Sequence, residues 1–207
     1  MRRASDCLIV VDVQNDFLPG GALAVRRGDE ILPVVNRIAA QFAVVVLTQD
    51  WHPAGHASFA SSHPGKRPFQ TMRMPYGEQV LWPDHCVQGS SGAAFASGLD
   101  IPHAQLVIRK GHHKKVDSYS AFLEADRRTK TGLDGYLKSR GVKRVYCAGL
   151  ATDFCVSWTT TDARRFGLQA VVIEDACRAI DTGGSLAAAR QTMKKAGVRR
   201  VSSAALL

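Results

Sequence analysis

The chain has 207 residues, of which 45% are hydrophobic and 22% charged, and its formal net charge is +9. That length suits one well-buried domain over 1–207. The composition excludes disorder and the membrane class, because the longest apolar runs, "CLIVV" and "FAVVVL", fall far short of the ~20 residues a bilayer requires.

In chain order, "MRRASDCLIVVDVQNDF" mimics a signal peptide in its basic start, but its apolar stretch ends at Asp12, too soon for an h-region. A cytoplasmic protein with no membrane attachment is expected. The first element is the strand "CLIVVD", ending at Asp12, after which Asn15 and Asp16 shape a turn through side-chain to backbone bonds. A helical stretch, "GDEILPVVNRIAAQF", and the strand "AVVVLTQD", ending at Asp50, follow. Residues 51–100 show no sustained period and are rich in Pro, Gly, Ser, His and aromatics, which predicts a functional lid containing short elements. Beyond it the pattern reads strand "QLVIRK", helix "TGLDGYLKSRG", strand "RVYCAGL" and helix "TDFCVSWTTTDARRFG". Strand "LQAVVIEDA", helix "SLAAARQTMKKAG" and the short strand "VRRVSS" complete it.

Gly141, Gly167 and Gly197 sit where left-handed helix caps belong. Alternating elements with nearly continuous apolar strands predict an α/β fold: a doubly wound, mostly parallel sheet with helices on both faces and a long lid loop. The excess of Lys and Arg falls in "RR" at 26, "HHKK" at 112, "DRRTK" at 126 and "KKAGVRR" at 194, among helix ends and loops. No aromatic-basic module accompanies it, so it reads as solvated surface and not as a nucleic-acid footprint. The five cysteines lack CxxC spacing and read as reduced thiols, mostly small buried hydrophobes.

Three predicted strands end in ionisable residues, Asp12, Asp50 and Lys110, and Cys155 follows the fourth. Ligands of open parallel sheets bind outside the carboxyl ends of the strands, so these four side chains should converge on one crevice. A charge at a single strand end is mere punctuation; four at one edge are not. Cys155 has no histidine near it in sequence. Its expected activation comes from the first turn of a helix capped by Thr152 or Asp153, from a neighbouring Lys110 that lowers the thiol pKa, and from Asp12 as general base and later acid.

A second constellation lies in "QDWHPAGHASFASSH" and "LWPDHC". Asp50, His52 and His85 are ligands of the kind that hold zinc, iron or manganese. His56 and His63 compete for the same role, Cys86 is a softer candidate, and spacing alone does not choose among them.

Together these residues resemble the nicotinamidase/pyrazinamidase branch of the isochorismatase-like cysteine hydrolases. The motifs are "VVDVQNDFLPGGAL" at 10–23, "TQDWHPAGHASFA" at 48–60, "WPDHCVQG" at 82–89, "IRKG" at 108–111, "DSYSAF" at 117–122 and "GLATDFCV" at 149–156. The resemblance covers nearly the whole chain in order. It implies an Asp12–Lys110–Cys155 triad that hydrolyses nicotinamide, and pyrazinamide as well, to the acid and ammonia through a thioester, within NAD salvage. It further implies an oxyanion hole from the N–H groups of Ala151 and Cys155, with a non-proline cis peptide before Ala151. One divalent ion, zinc or else iron or manganese, would be held by Asp50, His52 and His85, with His56 either an additional lid ligand, as in some members, or just outside the ligand shell. Phe17, Trp82 and Tyr119 would wall the ring pocket, residues 51–100 would form the metal-binding lid, and the chain would assemble as a homo-oligomer. The alternative within the same superfamily is an amidase acting on a different carboxamide or a carbamoyl substrate.

Overall fold

In a computed structural model describing residues 2–207, six parallel strands form one sheet. They are β1 (Asp6–Val11), β2 (Val44–Asp50), β5 (Leu106–Lys110), β6 (Arg144–Leu150), β7 (Gln169–Arg178) and β8 (Arg199–Val201). Their spatial order is β5-β2-β1-β6-β7-β8. The chain runs outward from β1 in one direction and from β6 in the other, so the order reverses between these two central strands. At such a reversal the connections leave in opposite directions and open a crevice beyond the strand ends. Asp12 directly follows β1 and Cys155 follows β6, which places both residues at that crevice.

Alternation along β1 feeds two cores. Leu8 and Val10 pack with Ile31, Val35 and Ile38 of the first helical segment, whose regular part is α1 (Leu32–Ala39). Cys7, Ile9 and Val11 pack on the other face with residues of α2 (Leu133–Ser139), α3 (Ser157–Arg165) and α4 (Ser185–Lys195). The doubly wound α/β reading is therefore correct. The expected caps Gly141, Gly167 and Gly197 all have positive φ, and all five cysteines are free and buried.

Two elements differ from the sequence reading. The helix expected from Thr152 begins as a π-helical turn, Thr152–Val156, before α3 proper. Segment 51–100 is tied down more than a loop would be. It carries a 3₁₀ turn at Ala60–Ser62 and an antiparallel hairpin, β3 (Thr71–Met74) and β4 (Gly77–Val80). Isolated bridges join His52 to Val87, Phe59 to Trp82 and Phe95 to Gln14. No helix among the described residues is long and apolar enough to cross a membrane.

Gly149 makes the central pairing possible. It sits at φ 125 beside a register shift between β6 and β7, and a Cβ there would meet the Val11 carbonyl oxygen at 2.1 Å. The neighbour is backbone and cannot turn aside. Gly149→Ala is expected to lower stability by about 3 kcal/mol or more, from overpacking and an unfavourable φ together, read as a lower denaturant midpoint at unchanged slope.

Candidate active site

Lys110 ends β5 as the register partner of Asp50 at the end of β2, and both side chains are buried. Its ammonium lies 2.8 Å from Asp12 Oδ2 and donates to Asp50 Oδ1, to the Ser118 carbonyl at 3.0 Å and toward Cys155 Sγ at 3.4 Å. The four strand-end side chains do meet. Burial alone would lower the Lys110 pKa, but the Asp12 and Asp50 carboxylates outweigh it and hold the ammonium well above its ordinary value.

Asp12 takes a left-handed backbone conformation, φ 48, just beyond β1. Thr48 fixes it twice: the Asp12 N–H donates to Thr48 Oγ1 at 3.1 Å, and the Thr48 hydroxyl donates to Asp12 Oδ1 at 2.6 Å. The other oxygen, Oδ2, has the Lys110 charge beside it but no well-directed hydrogen bond among the described residues. It retains capacity to accept a proton. Burial raises the Asp12 pKa, Lys110 opposes that rise and Asp50 adds to it.

Cys155 lies on the π-turn, whose start has no side-chain cap. The expected capping by Asp153 fails because its carboxylate is engaged elsewhere. It accepts from the N–H groups of Ile180 (3.1 Å) and Asp181 (2.7 Å) and from the Ser185 hydroxyl (2.5 Å). Thr152 does not cap the helix either. The expectation of a lowered thiol pKa also needs correction. Burial pushes Cys155 well above its ordinary value; Lys110 opposes this, but Asp12 and Asp50 add to it. Asp12, Asp50 and Cys155 each bring one donor atom within 4.8 Å of the others, so a carboxylate lies close to the thiol. The peptide between Leu150 and Ala151 is cis, as the resemblance implied.

Asp50, His52 and His85 gather on the other side of Lys110. One ligand atom of each lies within 4.8 Å of the others. His52 Nδ1 faces the Gly111 carbonyl at 2.9 Å and His85 Nδ1 faces the Pro83 carbonyl at 2.8 Å. Each carbonyl requires a donor, so each Nδ1 carries the proton and each Nε2 presents a lone pair toward Asp50 Oδ2, at 3.7 and 3.8 Å. Two imidazoles and a carboxylate oriented in this way fit a divalent ion of the borderline class. Burial alone would raise the Asp50 pKa, but the Lys110 ammonium holds it well below the usual carboxylate range.

Of the competitors, His56 joins His52 and Asp117 in a second buried donor group that does not include Asp50. His56 packs against the His52 ring, its Nδ1 paired with Ser58 Oγ at 2.7 Å and its Nε2 near the His113 and Val116 carbonyls. His63 bonds the Ala57 carbonyl, and among the described residues neither it nor Cys86 joins a cluster with Asp50.

Phe17, Trp82 and Tyr119 line one pocket together with Asp50, His52, His85, Ala151 and Cys155. Sequence reasoning missed four further wall residues, Leu23, Asp117, Phe154 and Ile180. It also missed Gln14, whose side-chain amide donates to the Asp50 carbonyl and accepts from the Asp50 N–H. A buried glutamine directly after an apolar strand was the available signal. Gln79 of β4 reaches in from the hairpin, donating to Asp117 Oδ2 at 2.7 Å and lying 3.0 Å from Tyr119 Oη, which also accepts from Trp82 Nε1.

A buried Cys–Asp–Lys group at the switch point of a doubly wound sheet defines a cysteine hydrolase of the α/β type. Residues 6–205 match the isochorismatase domain, and the chain belongs to that family. It is 58% identical to a nicotinamidase of Acinetobacter baylyi, over 100% of this chain and 97% of that protein. Among solved structures, an Acinetobacter baumanii nicotinamidase/pyrazinamidase superimposes with a TM-score of 0.99 at 57% identity, covering 100% of both chains. A Pyrococcus horikoshii pyrazinamidase in complex with zinc superimposes with a TM-score of 0.78 at 35% identity, over 96% of this chain and 99% of that one.

Gly111 tests the metal-ligand geometry. At φ 66 it lies so close under the imidazole that a Cβ would meet His52 Cε1 at 2.4 Å. Gly111→Ala should displace the ring and weaken divalent-metal binding by about 10–100-fold, the usual scale for disturbing a ligand's orientation, as read by competition with a chromogenic chelator.

Proposed function

We propose that this chain is a nicotinamide amidohydrolase, which converts nicotinamide to nicotinate and ammonia and accepts pyrazinamide as well, within cytoplasmic NAD salvage. One observation carries the reading: the Lys110 ammonium joins the carboxylate of the Cys155 group to the carboxylate of the Asp50–His52–His85 cluster inside a single aromatic-walled pocket. The similarity to the Acinetobacter nicotinamidases supports the substrate, and the zinc complex of the Pyrococcus relative supports the metal. In this reading residues 1–207 act as one domain with 51–100 as its metal-binding lid. The chains associate through that lid, where Phe69 is 49% exposed.

Asp12 Oδ2 takes the Cys155 proton as Sγ attacks the carboxamide carbon, while the amides of Ala151 and Cys155 receive the developing oxyanion. Asp12 then returns the proton to the leaving nitrogen and ammonia departs. A water molecule, deprotonated by Asp12, hydrolyses the thioester and restores the thiol. Lys110 stays protonated throughout and offsets the negative charge that moves between Sγ and Asp12. Asp50, His52 and His85 would hold a divalent ion, which would supply Lewis-acid chemistry toward the ring nitrogen. Phe17, Trp82 and Tyr119 confine the ring.

The direct test is ammonia release from nicotinamide by metal-restored protein; inert wild-type protein would overturn the reading. Cys155→Ala should abolish turnover while retaining metal, and Asp50→Ala should lose metal. Thr48→Val gives a pH signature. Asp12 must be ionised to accept the proton, and the Thr48 hydrogen bond lowers its pKa against the raising effect of burial. Removing the hydroxyl raises it further, so the acid limb of kcat/KM should move to higher pH; an unmoved limb would exclude Asp12 as the base.

A further inference from the structure

A second group of metal-binding donors lies outside the pocket, on the segment that the "HHKK" motif occupies. His112 and His113 are exposed with ring centroids 4.1 Å apart, and Glu124 lies beside them with its side chain only 3% exposed. One donor atom from each of the three lies within 4.8 Å of the others. His113 Nδ1 and Glu124 Oε1 are 2.6 Å apart and share a proton.

We propose that His112, His113 and Glu124 form a binding site for one divalent transition-metal ion of the borderline class, zinc or nickel, separate from the Asp50 cluster. Two imidazoles and one carboxylate match the donor preference of these ions. The backbone that carries the carboxylate is fixed, since the Glu124 N–H donates to the Thr129 carbonyl and the Glu124 carbonyl accepts from Arg127 N–H. Among the described residues His113 is the one side chain that hydrogen-bonds it, so a nearly buried carboxylate keeps acceptor capacity facing an exposed pair of rings. An entering ion displaces the proton shared by His113 and Glu124. Lys114 and Lys115 oppose a cation, but the Lys114 side chain packs over Gly55 in the lid, and Asp126 adds negative charge near Glu124. The site occupies the same loop whose Gly111 carbonyl orients His52 and whose His113 carbonyl faces His56. An ion bound there would brace the loop that supports the inner ligands.

The experiment is equilibrium dialysis of chelator-stripped, untagged protein against zinc alone and nickel alone, followed by elemental analysis. Wild-type protein should retain two equivalents, while His112→Ala/His113→Ala and Glu124→Gln should each retain one and keep unchanged circular dichroism. Cobalt substitution provides a second reading, because the wild type should show an extra visible absorption component that both variants lack. A wild type that saturates at one equivalent overturns the proposal. So do variants that still retain two, which would assign the extra ion to adventitious binding.

Discussion

The site rests on a single buried cation. An unpaired ammonium in the interior is strongly unfavourable, and Lys110 remains charged there because Asp12 and Asp50 flank it. Each carboxylate in turn depends on the lysine, and removing one member of such a group typically costs about 3–5 kcal/mol because a charge is left uncompensated. The arrangement therefore requires the ends of β1, β2 and β5 to remain in register. Asp12, Asp50, Lys110 and Cys155 titrate as one coupled system, and a proton placed on any of them alters the affinity of the other three. In the proposed reaction, that coupling serves a nucleophile without a histidine. The thiol is costly to ionise where it sits, and its proton has one short route to an acceptor already held beside it.

The fold was legible in sequence because both of its signals are local. Strands buried on two faces lose their in-out alternation, and helices that end in glycine mark their own boundaries. The convergence of Asp12, Asp50, Lys110 and Cys155 was legible for a topological reason: parallel strands deliver their carboxyl ends to one edge whatever their order. The ligand set was not legible in this way. His52, His56, His63 and His85 are told apart by their carbonyl partners, which spacing does not reveal, and a hydrogen bond from Nδ1 to Gly111 or Pro83 has no sequence signature. The resemblance to known hydrolases supplied that choice.

Other features escaped because they depend on contacts distant in sequence. Thr48 reads as one more β-branched strand residue, yet its hydroxyl fixes the Asp12 carboxylate 36 positions away. Asp153 reads as a helix cap, but the loop at Ile180 and Asp181 draws its carboxylate off and the helix starts instead as a π-turn. Asn15 and Asp16 shape a local turn as expected, with Asp16 Oδ1 accepting from Ala22 N–H at 3.2 Å, but their other bonds reach further. Asn15 bonds the Ser91 carbonyl and Asp16 accepts from Cys86 N–H, so this turn is stitched to the returning lid. Pairwise propensities carry no information about such long-range choices.

The hydrogen bonds that Gln79 makes with the pocket wall bear on the order of events in turnover. A ring passing beneath the hairpin must part the amide from Asp117 and from Tyr119 together, and buried polar groups separate readily only when water replaces their partners. On that route, admitting a ring and admitting bulk water are the same event. Ammonia and a single water molecule are small enough to exchange without it. The two products would then leave in sequence, ammonia while the hairpin is seated and the ring acid only when it lifts.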